Sequence, residues 1–280
     1  MSSPSLKVWV NGAVVDESDA RVSVFDHGLT VGDGVFESAK VVTDGVPFAL
    51  TRHLQRLAVS AGALGLEVPA EDHLRRAVAE TLAANVEHHG SPLRLRVTLT
   101  GGTAPLGSER GAQGTTLVVA LAPMRAWAAS AKLVLVPWTR NERSATAGVK
   151  TTSYAENVVA LAHAKAYGGS EAIFANTAGN LCEGTGSNVF LVRGGEIVTP
   201  PLTSGCLAGV TRALLLEWSD AVERDVPVGA LLDADEVFLT SSTRDVQAVH
   251  AIGDHDIEPG PVTARLAADF ARRAAADIDP

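Results

Sequence analysis

Apolar positions along the chain follow two spacings, and each spacing predicts a different element. Lys7-Val8-Trp9-Val10 and Ala13-Val14-Val15 flank Asn11-Gly12, which predicts a β-hairpin. Phe36 to Val42 is a second extended run, closed by the turn residues Asp44-Gly45. The spacing then lengthens. Leu50, Leu54, Leu57 and Ala61 recur at helical intervals and predict a helix over 49–66, followed by a second over 70–86. Leu93 to Leu99 alternates as a half-buried strand, and Thr115 to Ala122 is a continuous apolar strand. Residues 123–130, Pro-Met-Arg-Ala-Trp-Ala-Ala-Ser, carry neither period and read as a linker. Beyond it, strands are predicted at 132–137, 171–175, 189–192, 197–198 and 236–240. Helices are predicted at 156–166, 209–222 and 262–275, with turns at 178–180 and 194–195. Strands grouped before helices predict an α+β fold with two sheet-containing lobes, 1–122 and 131–280, joined by the 123–130 linker.

Composition narrows the class of function. At 280 residues the chain exceeds the usual single core, so two lobes are expected. A 46% hydrophobic and 20% charged content is that of a folded globular protein. The net charge of -9 makes long nucleic acid and anionic membranes poor partners, so any anionic ligand has to be caught by local donors. Two cysteines, Cys182 and Cys206, are too few for a disulfide scaffold or a cysteine-based metal site, and read as buried, reduced packing residues. The start, Met1-Ser2-Ser3-Pro4, lacks a signal-peptide pattern, and no apolar run is long enough to span a bilayer. A cytoplasmic protein is expected.

The candidate chemistry lies in five places. Of the 23 basic residues, lysine occurs only at positions 7, 40, 132, 150 and 165. A Schiff-base lysine needs a shielded position at an element end. Lys150, between Ala147-Gly148-Val149 and Thr151-Thr152-Ser153-Tyr154 at a loop before a helix, has that context, although a solvated loop lysine has it too. Glu183 leads a small-residue turn, Gly184-Thr185-Gly186-Ser187, into an apolar strand; such a turn lets backbone approach a flat ligand or is a plain surface loop. Gly209-Val210-Thr211-Arg212 opens a helix and suits a phosphate or an ordinary N-cap. Thr240-Ser241-Ser242-Thr243 offers four hydroxyls in a polar loop. Arg52 and Arg56 share a helix face, where an arginine neutralises a phosphate or is simply solvated.

In this order the segments resemble the fold type IV, or class IV, pyridoxal-phosphate (PLP) aminotransferase family. That family includes branched-chain and D-amino acid aminotransferases and aminodeoxychorismate lyase. Glu183-Gly184-x-x-Ser187-Asn188-Val189-Phe190 is close to the family signature and follows Lys150 at the expected distance. Gly32-Asp33-Gly34-Val35-Phe36-Glu37, His53-Leu54-Gln55-Arg56-Leu57 and Gly209-Val210-Thr211-Arg212 match as well. The resemblance implies a smaller N-terminal α/β lobe and a larger barrel-like C-terminal lobe with PLP between them, in a homodimer. It implies that Lys150 holds PLP as a Schiff base and then shuttles the proton at the substrate α-carbon. Glu183 would pair with the pyridine nitrogen. Arg56, Val210, Thr211 and Ser242 would hold the phosphate, and Tyr154 would meet the ring oxygen. Ser241 and Thr243 would serve a substrate carboxylate, and Phe36, Lys40 and His27 would line the substrate site, with His27 equally suited to interface packing. No metal is implied.

The reaction is chosen by substrate shape. Lys40 stands where branched-chain enzymes usually carry arginine, and Leu99-Thr100-Gly101-Gly102-Thr103 lacks the arginine that D-amino acid enzymes place after this strand. Lys150 to Asn157 looks like the lyase members. The resemblance therefore favours release of pyruvate and p-aminobenzoate from 4-amino-4-deoxychorismate, with an amino acid transaminase as the alternative and a non-catalytic binding protein as a remote one.

Overall fold

The computed structural model describes residues 5–42, 44–124 and 126–280. The Met1–Pro4 start and Arg125 of the linker, on which two of the expectations above fall, lie outside the described residues. The chain forms two compact units, 1–125 with 149–154 and 278–280, and 126–148 with 155–277.

The first unit holds β1 (Lys7–Val10), β2 (Ala13–Asp16), α1 (His27–Thr30), β3 (Gly34–Val41), α2 (Leu50–Ala63), α3 (Glu71–Ala83), β4 (Leu93–Thr100) and β5 (Thr116–Pro123). Its antiparallel sheet runs β2-β1-β5-β4-β3. Strand alternation puts Val35, Ala39, Val41, Leu93, Leu95, Val97, Leu99, Leu117, Val119 and Leu121 on one face, where they pack against Leu54, Leu57, Ala61, Leu74 and Val78 of α2 and α3. Phe36, Ser38, Lys40, Arg94 and Arg96 therefore point to the other face. The β3 edge is covered by 149–152: Phe36 N–H donates to Lys150 O at 3.0 Å and Thr152 N–H to Gly34 O at 2.8 Å. Lys150 is thus held by a strand more than a hundred positions earlier in the chain.

The second unit holds β6 (Ser130–Arg140), α4 (Ala155–Ala166), β7 (Glu171–Asn176), β8 (Leu181–Gly184), β9 (Asn188–Arg193), β10 (Glu196–Thr199), α5 (Val210–Trp218), β11 (Val222–Glu223), β12 (Glu236–Ser241), β13 (Asp245–Ile252), β14 (His255–Asp256) and α6 (Pro261–Ala276). Its mixed sheet runs β11-β10-β9-β12-β13-β6-β7-β8, with β14 on β13. The two ends of this order are joined by one segment. After β11, Arg224 N–H donates to Thr199 O, Leu181 N–H donates to Val226 O, and Val228 N–H donates to Gly179 O. These bonds bring the two ends of the sheet together and match the barrel-like lobe expected. Leu133, Ile173, Leu181, Val189, Val237, Leu239 and Val249 fill the interior. Among the described residues, no helix is long and apolar enough to cross a membrane.

The predicted elements recur with two main differences. The helix expected to reach residue 222 stops at Trp218, because Ser219 turns extended and its hydroxyl donates back to Leu215 O at 2.6 Å. Val222–Glu223 instead forms a parallel strand beside β10. Strand β13 was not predicted, since Gln247 and His250 interrupt its apolar run.

Glu236 caps α6 from another strand. Its buried carboxylate accepts from Val262 N–H at 2.9 Å and Thr263 N–H at 2.7 Å. Carboxylates at helix N-termini stabilise through the orphan N–H groups and the dipole. Glu236→Ala is expected to lower the unfolding free energy by about 2 kcal/mol in urea melts, with the slope unchanged. Equal stability of variant and parent contradicts this role.

Candidate active site

In the first unit, three of the expected residues meet at Phe36. Lys150 Nζ lies 4.4 Å from the Phe36 ring centroid. Tyr154 meets the same ring edge-on, with centroids 5.4 Å apart. Arg96, which the sequence reading did not single out, lays its guanidinium 3.7 Å from the Phe36 centroid. Lys150 is further held by its N–H, which donates to Ser60 Oγ at 3.3 Å. Lys40 lies on the same sheet face, opposite Arg94 in the β3–β4 register, so one face gathers several cations beside the candidate nucleophile. Like charges opposite each other cost stability in a sheet, so their juxtaposition suits an anionic ligand.

Arg56 and His27 each have protein partners in the first unit. Arg56 turns to the helix-facing side and grips Glu37 with two nitrogens, Nε and Nη2, each at 2.7 Å. Burial pushes the Glu37 carboxyl up, but Arg56, aided by His53 at 2.6 Å, outweighs it and brings the pKa from its ordinary 4.5 down to about 2. Burial holds His53 below its ordinary value. His27 is buried, with Nδ1 3.4 Å from Asp33 Oδ2 and Nε2 3.3 Å from Pro105 O. It ties the α1 turn to the β4–β5 loop.

The second unit holds Glu183, the α5 start and the Ser241–Thr243 turn. Glu183 accepts from Leu207 N–H at 2.9 Å, and Arg140 Nε approaches its other oxygen at 3.2 Å. Arg140 was also missed; it stacks over Phe174 at 4.3 Å and donates to Asn157 Oδ1 at 2.7 Å. Asn157 in turn donates to Thr185 O at 2.8 Å, so helix α4 anchors the turn after Glu183. Asn188 donates to Leu207 O at 2.9 Å and faces Thr240 in the β9–β12 register. This brings the α5 start and the Ser241–Thr243 turn to one strand end. Val210 and Thr211 are buried at that start, where the N-cap is Gly209 and no side chain caps the helix. A Cβ at Gly209 would lie 2.0 Å from Asn188 Oδ1, so only glycine permits this approach. The donor set fits PLP: uncapped helix N–H groups and hydroxyls for a phosphate, and a carboxylate fixed by a cation and an N–H for a pyridinium. Cys182 and Cys206 are buried and free; burial raises both thiols, Cys206 to about 11, which keeps them unreactive.

Residues 34–252 match the profile of the amino-transferase class IV family. The chain belongs to that family. A putative branched-chain-amino-acid aminotransferase of Methanocaldococcus jannaschii is 33% identical over 95% of both chains. A D-alanine aminotransferase of Bacillus licheniformis is 31% identical, covering 92% of this chain and 93% of its own. An aminodeoxychorismate lyase of Bacillus subtilis is 30% identical, covering 85% and 84%. The branched-chain aminotransferase of Thermoproteus uzoniensis, solved with norvaline, superposes with a TM-score of 0.89 at 29% identity, over 96% of this chain and 94% of its own. This class IV chain is therefore a PLP-dependent enzyme with the α+β fold of its relatives.

The Glu37 site has a pH signature. A carboxyl whose folded pKa is depressed contributes stability above its unfolded value and loses it as pH falls through the folded value. The window runs from 4.5 down to about 2, and His53, depressed from 6.5, acts in the same direction at its upper end. Glu37→Gln is expected to cost about 3 kcal/mol at pH 7, the deficit shrinking below pH 4.5. Urea unfolding across pH checks it, and a deficit independent of pH refutes it.

Proposed function

We propose that this class IV enzyme is an amino acid transaminase in which Lys150 carries PLP and moves the proton at the substrate α-carbon. The observation that carries this is the grouping of Lys150, Tyr154 and Arg96 on the Phe36 ring. It gives a nucleophilic amine, a phenol and a guanidinium around one aromatic ring. When bound, PLP supplies the electron sink that makes the α-proton acidic. Glu183 would hold the ring nitrogen protonated, with Arg140 orienting that carboxylate. Val210, Thr211, Ser242 and Arg56 would hold the phosphate, and Tyr154 the ring oxygen. Ser241 and Thr243 would take the substrate α-carboxylate. Arg96, with Lys40 beside it, would accept a second carboxylate, which suits a dicarboxylic amino donor. Phe36 would pack on the apolar part of the substrate. The transaminase names of the more similar relatives support this reading. A lyase acting on 4-amino-4-deoxychorismate is the second reading, favoured by the Lys150–Asn157 stretch and the 30% identical lyase.

Purified protein is expected to be yellow, to bleach with borohydride, and to lose the colour in Lys150→Ala. A Lys150→Ala protein that keeps the reducible chromophore refutes the lysine assignment. With an amino acid alone, the wild type should convert to the pyridoxamine form. Release of pyruvate and p-aminobenzoate from aminodeoxychorismate without a keto acceptor selects the lyase instead.

The expected homodimer has support in one surface. Val22, Val24, Phe25, Leu29 and Val31 are exposed within ten positions of the first unit, and grouped exposed apolar residues suit a protein–protein contact. Leu29→Glu is expected to shift sedimenting species from dimer to monomer; an unchanged dimer argues against this face.

A further inference from the structure

Arg244 sits two positions after Ser242, yet its side chain turns away from solvent and is 4% exposed. Its Nη2 donates to Glu171 at 2.8 Å, its Nη1 donates to Gln247 at 2.7 Å, and its guanidinium lies 3.8 Å from the Trp127 ring centroid. Its backbone N–H donates to Ser241 Oγ at 3.2 Å. Glu171, 1% exposed, also accepts from Thr185 N–H at 3.1 Å, from the Thr185 hydroxyl, and from Ser187 Oγ at 3.1 Å. Gln247 completes the arrangement by donating to Ala128 O at 2.7 Å.

One buried ion pair therefore joins three loops of the second unit: the turn after Glu183, the Ser241–Thr243 turn, and the connecting segment at Trp127–Ala128. The Arg244 guanidinium is directed at Glu171, Gln247 and the Trp127 ring. Its rigid fork sets the geometry of the hydroxyl turn beside it, and its flat face holds Trp127 against that turn.

We propose that Arg244 is a positioning residue for substrate-carboxylate binding, acting through the Ser241–Thr243 turn and Trp127 and anchored by Glu171. The proposal rests on the reading that this turn takes the substrate carboxylate. It does not require Arg244 to touch substrate or cofactor.

Arg244→Lys keeps a charge for Glu171 but cannot bridge Glu171 and Gln247 while lying flat on Trp127. In the holoenzyme it is expected to raise KM for the amino acid about tenfold with kcat nearly unchanged. The visible spectrum and PLP retention on dialysis should match the wild type. Trp127 fluorescence, read as the difference from Trp127→Phe, should be quenched by a titrated branched-chain keto acid in the wild type, at about tenfold lower concentration than in Arg244→Lys. If Arg244→Lys does not fold, the Glu171→Met/Arg244→Met double variant replaces both charges by apolar groups, and the same rise in KM is expected. Wild-type KM and keto-acid affinity in a folded variant overturn the proposal, as does a wild type whose Trp127 signal ignores keto acid. A colourless wild type that still shows the keto-acid quenching overturns the Lys150 reading and leaves this one standing.

Discussion

A carboxylate cannot be buried without donors to replace its water, and in this protein the donors to buried or half-buried glutamates hold the candidate site in shape. Glu37 is answered by Arg56 and His53, which lock α2 to β3. Glu171 is answered by Arg244, Thr185 and Ser187, which lock β7 to two turns. Glu236 is answered by the first N–H groups of α6. Glu183 is answered by Leu207 N–H and Arg140. In each case the partners come from separate segments, so desolvation makes the contact obligatory and the contact sets the spacing of elements.

The same constraint sorts the arginines. Those used by buried carboxylates, Arg56 and Arg244, have most of their hydrogen-bonding capacity directed inward. Arg96 instead lies over Phe36, the ring that Lys150 also meets, where a guanidinium offers charge to an incoming anion. A net charge of -9 is compatible with anionic substrates and an anionic cofactor because these cations and the α5 N-terminus act locally.

Much of the fold was legible in local pattern. The Asn11-Gly12 hairpin, the α2 leucines and the alternation of β4 each follow from nearest-neighbour chemistry, and the structure keeps them. The glutamate turn and Gly209 were legible as well, because close backbone approach limits the residue types allowed. Strand β13 was not, since its buried Gln247 is polar for a reason found elsewhere: it bridges Arg244 and Ala128 O. Arg140, Glu171 and Arg244 were not singled out for the same reason. A charged residue in a strand gives no local sign of whether water or a distant partner solvates it.

By itself, the sequence determined the α+β class, most element positions and the family, and it singled out Lys150 and Glu183 as candidates. These depend on spacing and residue type, which are local properties of the chain. Tertiary structure alone decided which charges are buried and with whom: that Arg56 faces Glu37, that Arg96 joins Lys150 at Phe36, and that Arg244 is bound into Glu171. Pairing energies of this kind arise between segments far apart in sequence, and only the closed fold excludes the water that would otherwise make each pair dispensable.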